Sequence, residues 1–267
     1  MSAAPHSWLA FTLLGKSAIV LLWLVSIILI ENRWGSAIVP LRLAGYGGSW
    51  FARWGRNFGF FALNAGLAPL LVLPVTFYAA AHPLWPRPAF LSFPYALPLD
   101  LLILDLWIYW WHRANHELPF LWRFHEVHHR DVFLDATSAV RFHFGEVMIS
   151  ALVRALVIFL LAIPLGSVIV FETLVLMAAI FHHSNWRLPE AIERRLSKVI
   201  ITPSLHWVHH HAKKSDTDSI YGTILSVWDR WFNSGAHINR RRDMPIGVEG
   251  EEEVGLLRLI ALPFYRG

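Results

Sequence analysis

The stretch Arg123 to His129, RFHEVHH, admits two chemistries. Read as His125-Glu126-x-x-His129, it is the zinc-protease pattern, in which two histidines bind zinc and Glu126 activates water. Read as His125-x-x-His128-His129, it sets three imidazoles on one helix face, because residues three and four apart are neighbours there. The rest of the chain favours the second reading. His112-x-x-x-His116 is a further i, i+4 pair, and His206-x-x-His209-His210 repeats the triplet. Of 15 histidines, 12 fall between residues 112 and 211. Neutral imidazole is the commonest metal ligand. With His183 the clusters offer nine candidate ligands. A zinc ion takes about three or four ligands from protein, so nine suit two metals better than one. The protease pattern leaves the other clusters without a role, and any Glu after the first His of H-x-x-H-H creates it. Glu126 then reads as a partner of a ligand or an exposed charge. The solitary His6, His82 and His237 read as ordinary structural or solvated side chains.

These clusters need elements to hold them. The chain has 267 residues and is 55% hydrophobic, with the excess in long runs. It reads as an all-α integral membrane bundle with about four transmembrane helices or helical hairpins. There is no cysteine, which excludes disulfides, iron–sulfur clusters and thiolate zinc sites. The net charge of +4 comes with basic groups scattered in short loops, such as Arg194-Arg195, Lys213-Lys214 and Arg240 to Arg242. In a membrane protein these meet anionic headgroups or set orientation, and do not indicate nucleic acid. The first apolar run lacks a small-residue cleavage site and is followed by Glu31 and Arg33, so it is not a signal peptide.

The apolar regions run over about 8–30, 58–81, 89–111 and 147–181, against a need of roughly 20 residues per span. The third carries Asp100 and Asp105. Asp105 lies seven residues before His112 on the same face, roughly 10 Å away, too far to share its metal; pairing with Arg154 is the alternative. Pro164-Leu165-Gly166 divides the fourth region into a tight hairpin or a re-entrant pair, with Pro ending a helix and Gly permitting reversal. Either returns the chain to its starting side, where the two triplets can meet. Arg33, Arg42, Arg53 and Arg56, with the basic last third, place that side in the cytoplasm by the positive-inside rule. Tyr221 to Phe232 has helical apolar spacing. Glu249 to Glu253 reads as a solvated loop.

The stretches HRANH (112–116), HEVHH (125–129), RFHFGE (141–146), HHSN (182–185), LHWVHH (205–210) and DSIYGTILSVWDRWF (218–232) resemble the fatty acid hydroxylase/sterol desaturase superfamily of membrane di-metal oxygenases. They cover most of residues 112–232. The N-terminal third matches only in being apolar. The resemblance implies one domain over 1–267, with 1–111 mainly membrane anchor, 112–232 the metal-site core and 233–267 a C-terminal tail. It implies a cytosolic helical cap holding two iron ions, with zinc able to substitute. His112, His116, His125, His128, His129, His183, His206, His209 and His210 match the family's catalytic, metal-binding histidines. His143 matches a further one, as a ligand or as a residue that supports one, although Phe144 stands where Pro is common. His182 and His211 are extra beside the pattern. Glu146, Asn185, Asp216, Asp218 and Asp229 are candidates to orient the imidazoles; each could equally be a helix cap or a surface residue, the reading that suits Asp218 best. The implied reaction is O2-dependent hydroxylation or desaturation of a lipid, whether sterol, fatty acyl or related. Its electrons come from an external reductase, ferredoxin or cytochrome b5-like donor. A zinc-binding membrane protein without redox chemistry, for transport or sensing, is the reading from another class.

Overall fold

The computed structural model describes residues 5–37 and 50–265, with side chains from residue 15 onward. Arg42 and the side chain of His6 lie outside that description. The described chain is helical. The helices are α1 (Pro5–Trp34), α2 (Trp50–Ala81), α3 (Leu97–Glu117), α4 (Pro119–His129), α5 (Phe144–Leu161), α6 (Leu165–His183), α7 (Glu190–Leu196), α8 (Pro203–His209), α9 (Lys214–Thr217), α10 (Val227–Trp231) and α11 (Leu256–Tyr265).

Four helices are long and apolar enough to cross a membrane: Gly15–Trp34 of α1, then α2, α5 and α6. Their outer faces expose Leu22, Leu29, Leu70, Leu152 and Leu156. A hydrocarbon surface of this kind belongs in lipid, where a helix satisfies its own backbone. The apolar region around 89–111 behaves differently from expectation. Its first residues form a 3-10 turn at Ala89–Leu91, and the helix starts only at Leu97. With Asp100 and Asp105 inside it, α3 is not among the four. It nevertheless runs from one end of the bundle to the other. Asp100 meets Arg87 and Ser167 near the α5–α6 turn, while His112 and His116 lie among the histidines of the cap.

The fourth apolar region is a full hairpin of two membrane-length helices. The reversal falls on Ala162, which ends α5 in the left-handed conformation (φ 52°), and Pro164 caps α6. Gly166, expected to make that turn, lies inside α6 instead. A side chain there would come within 3.0 Å of the Phe93 ring, so its role is close packing. Leu104, Ala155, Ile158, Val168 and Phe171 form the core where α3, α5 and α6 meet.

The cap gathers the ends of the spans. Arg53 at the start of α2 is fully buried and binds Asp131, Asp135, the Phe133 carbonyl and Ser138. Arg141 binds Glu253 and the Val127 carbonyl. Arg56 also binds Glu253, and Arg130 binds Glu251. Glu251 and Glu253 of the acidic run are therefore clamped to the cap, whereas Glu249 and Glu252 are exposed as a solvated loop would have them. Two of the arginines that set the orientation argument, Arg53 and Arg56, are paired within the cap. Leu259 of α11 packs on Phe60 and Val127, so residues beyond 233 fold back on the cap.

Candidate metal centre

Each histidine is delivered by the end of a helix. The C-terminal turns of α3 supply His112 and His116, and α4 supplies His125, His128 and His129. The last turn of α6 supplies His183, and α8 with its C-cap supplies His206, His209 and His210. They sort into two groups. His112, His116, His125, His129 and His209 form one, and His128, His183, His206 and His210 the other; within each, one ring nitrogen per residue lies within 4.8 Å of the rest. The triplets are split between the groups, so α4 and α8 each serve both. The groups adjoin where the His129 and His210 rings stack at 4.2 Å.

The free nitrogens fit metal ions. A backbone carbonyl only accepts, so a ring nitrogen bonded to one must carry the proton, and the other nitrogen of a neutral imidazole is bare. His112 Nδ1 donates to the Tyr221 carbonyl, His209 Nδ1 to Ser219, His128 Nδ1 to Arg141 and His183 Nδ1 to Ala179. His125 Nδ1 donates to Glu146 at 2.9 Å. That leaves bare Nε2 atoms aimed inward, and those of His128 and His183 face each other at 3.0 Å. Two lone pairs so close repel unless a cation lies between them. Burial first, and then the neighbouring imidazoles, hold His128, His129, His206 and His210 well below the usual histidine range, and His209 down to about 3. The rings are thus kept neutral, the form that ligates.

Other expected residues lie elsewhere. His143 joins neither group, and both its nitrogens are engaged. Nδ1 accepts from the Gly145 amide as the N-cap of α5, and Nε2 donates to the Ile260 carbonyl. Glu126 is buried and its carboxylate pairs with Arg130, at 2.8 Å. Asp105 accepts from the Ile224 and Leu225 amides and from Trp228, while Arg154 pairs with Glu172; the Asp105–Arg154 pairing does not form. Residues 221–226 are not helical, and only Val227–Trp231 is. The irregular backbone there frees the Tyr221 carbonyl for His112, with Asp229 holding the Tyr221 and Gly222 amides.

Among the proposed orienting residues, only Glu146 accepts a hydrogen bond from a ring in the two groups. Asn185 bridges Ser36, Ala37 and Arg240, and Asp216 takes His211. Asp218 is exposed and forms the C-cap of α9, in line with a cap or surface role; its carboxylate lies 3.5 Å from His116 Nδ1 without a hydrogen bond. His182, set aside in the sequence, is buried with its ring 3.9 Å from His206. The orienting carbonyls of Ala179, Arg141, Ser219 and Tyr221 carry no side-chain signal and were not legible beforehand.

Residues 97–234 match the sequence profile of the fatty acid hydroxylase family, over half of the chain. The chain belongs to the fatty acid hydroxylase family. The matched segment begins with α3 and ends just after α10, so it contains both histidine groups and the α5–α6 hairpin. Among characterised members, an ornithine lipid hydroxylase of Rhizobium tropici is 29% identical over 171 residues, 63% of this chain and 50% of that protein. An alkylglycerol monooxygenase of Danio rerio is 28% identical over 184 residues, 66% of this chain and 40% of that protein. The human alkylglycerol monooxygenase is 26% identical over 133 residues, 49% of this chain and 28% of its own. The chain thus spans half or less of the length of these fatty acid hydroxylase relatives. No solved structure matches it.

Proposed function

We propose that this chain is a membrane-bound di-iron oxygenase that hydroxylates or desaturates a lipid, using O2 and electrons from an external reductase, ferredoxin or cytochrome b5-like donor. The observation that carries this reading is a cavity of about 400 Å3 that joins the histidine groups to the membrane bundle. Its upper wall includes His112, His125, His128, His183 and His206, and its lower wall Phe61, Val72, Ile108 and Phe171. A long apolar chain entering between the spans would end at the histidines, in the size range of ligand pockets.

The nine histidines of the two groups are the proposed ligands, without His143. Iron held by them would activate O2, with the donor's electrons, to the oxidising power that an unreactive C–H bond requires. The protein's own contribution is to keep the imidazoles neutral, fix their tautomers through carbonyls and Glu146, and shield the site from bulk water with the cap. The relatives' ornithine lipid and alkylglycerol names point to polar lipids as the substrate class. The paired orientation of Glu126 speaks against protease chemistry. The cap is proposed to face the cytoplasm, supported by Arg33 and the basic residues after 186. Metal analysis of the purified chain should find close to two irons, and lipidomics of a deletion strain with oxygen-isotope labelling should show loss of one oxidised lipid. A redox-silent protein holding zinc under iron-replete conditions would end this reading.

A further inference from the structure

The lower part of the same cavity carries charge inside the membrane bundle. Lys16 of α1, Arg154 of α5 and Glu172 of α6 all line it. Lys16 Nζ lies 2.9 Å from one Glu172 oxygen, and an Arg154 terminal nitrogen 2.9 Å from the other. Arg154 Nε is buried with no hydrogen-bond partner. Glu172 is eleven residues before His183 on one helix, and so lies about 16 Å below the histidines. Ionisable groups at this depth are costly to bury unless paired. Here two cations share one carboxylate, which leaves one positive charge unbalanced.

We propose that Lys16 and Arg154 form a binding site for the anionic group of the lipid substrate, a carboxylate or a phosphate. One such anion neutralises the triad and offers an acceptor to Arg154 Nε, in the charge-assisted geometry guanidinium favours. The anion is then the fixed end of a ruler. The oxidised carbon is the one that the intervening chain places at the histidines, far along the chain from the charged group. Glu172 holds both cations in place and keeps the vacant site from carrying two unpaired charges. The inference rests on the oxygenase reading only for what happens at the histidine end.

The test is competition for tritiated hexadecanoate on the iron-loaded full chain in neutral detergent, with unlabelled hexadecanoate, hexadecanol, hexadecylamine and hexadecyl phosphate as competitors. Hexadecanoate or hexadecyl phosphate should compete on the order of tenfold better than hexadecanol, and whichever is better identifies the anion. Arg154→Gln and Lys16→Met should each bring that ratio toward one with iron content unchanged. Glu172→Gln should raise it, and it serves as the check if either cation variant fails to fold. Equal competition by hexadecanol, preference for hexadecylamine, or a ratio indifferent to the variants overturns the site. The assay needs no turnover. An anion preference without O2 uptake would refute the oxygenase reading alone, and lipid oxidation without anion preference would refute the site alone.

Discussion

His128 Nε2 and His183 Nε2 face each other at 3.0 Å, and each ring's Nδ1 donates to a carbonyl. Both facing atoms are therefore bare, and only a cation reconciles them. His183→Ala should lower the iron content from about two towards one, by loss from the group with His206 and His210. His143→Asn, at a position engaged with Gly145 and Ile260, should keep both irons. Elemental analysis after identical reconstitution decides, and the reverse ranking would restore His143 as a ligand.

Glu146 holds His125 through Nδ1. Glu146→Leu should weaken metal retention by about 10–100-fold, the usual effect of losing such a partner. Glu146→Gln, which keeps an acceptor, should lose far less. A chelator competition series measures both.

Glu126 and His128 separate the two chemistries of the opening motif. Glu126→Gln should retain both metals and some activity while destabilising the cap, since the amide still accepts from buried Arg130 but no longer carries the charge that balances it. His128→Ala should abolish activity. Hydrolytic activity lost in Glu126→Gln but kept in His128→Ala would reverse the assignment.

The hairpin requires both triplets on one membrane face. The chain has no native cysteine, so single cysteines report cleanly. Cysteines replacing exposed Glu117 and Lys213 should react with an impermeant reagent from the same side, and one replacing His82 from the other. Asp131 is unsuitable, being fully buried against Arg53. Labelling of Glu117 and Lys213 positions from opposite sides would dismantle the shared site.

Burial raises the Asp229 carboxyl from 3.8 to about 6. The folded protein therefore holds this proton more tightly than the unfolded chain. Its contribution to stability is fully present below about pH 4 and declines by up to about 3 kcal/mol as pH rises through 6. Asp229→Asn removes the titration, so its melting temperature relative to wild type should rise between pH 4 and 7. A constant difference would show that Asp229 is ionised throughout.

The histidine spacing already put each triplet on one helix face, because i, i+3, i+4 geometry follows from helix pitch alone; the number of histidines already pointed to metal, and the apolar runs to membrane helices. Local pattern reaches no further than one helix. It placed each triplet on a single metal face, whereas tertiary packing splits both triplets between two groups. It assigned the reversal to Gly166, whereas Ala162 turns the chain and Gly166 admits Phe93. Asp105, Glu126 and His143 are chemically eligible for the centre, and only the position of Trp228, Arg130 and Ile260 across the fold directs them elsewhere. The carbonyls that set the tautomers, and the meeting of Lys16, Arg154 and Glu172 from three helices, depend on contacts between residues distant in the chain. Such contacts exist only once the helices have packed.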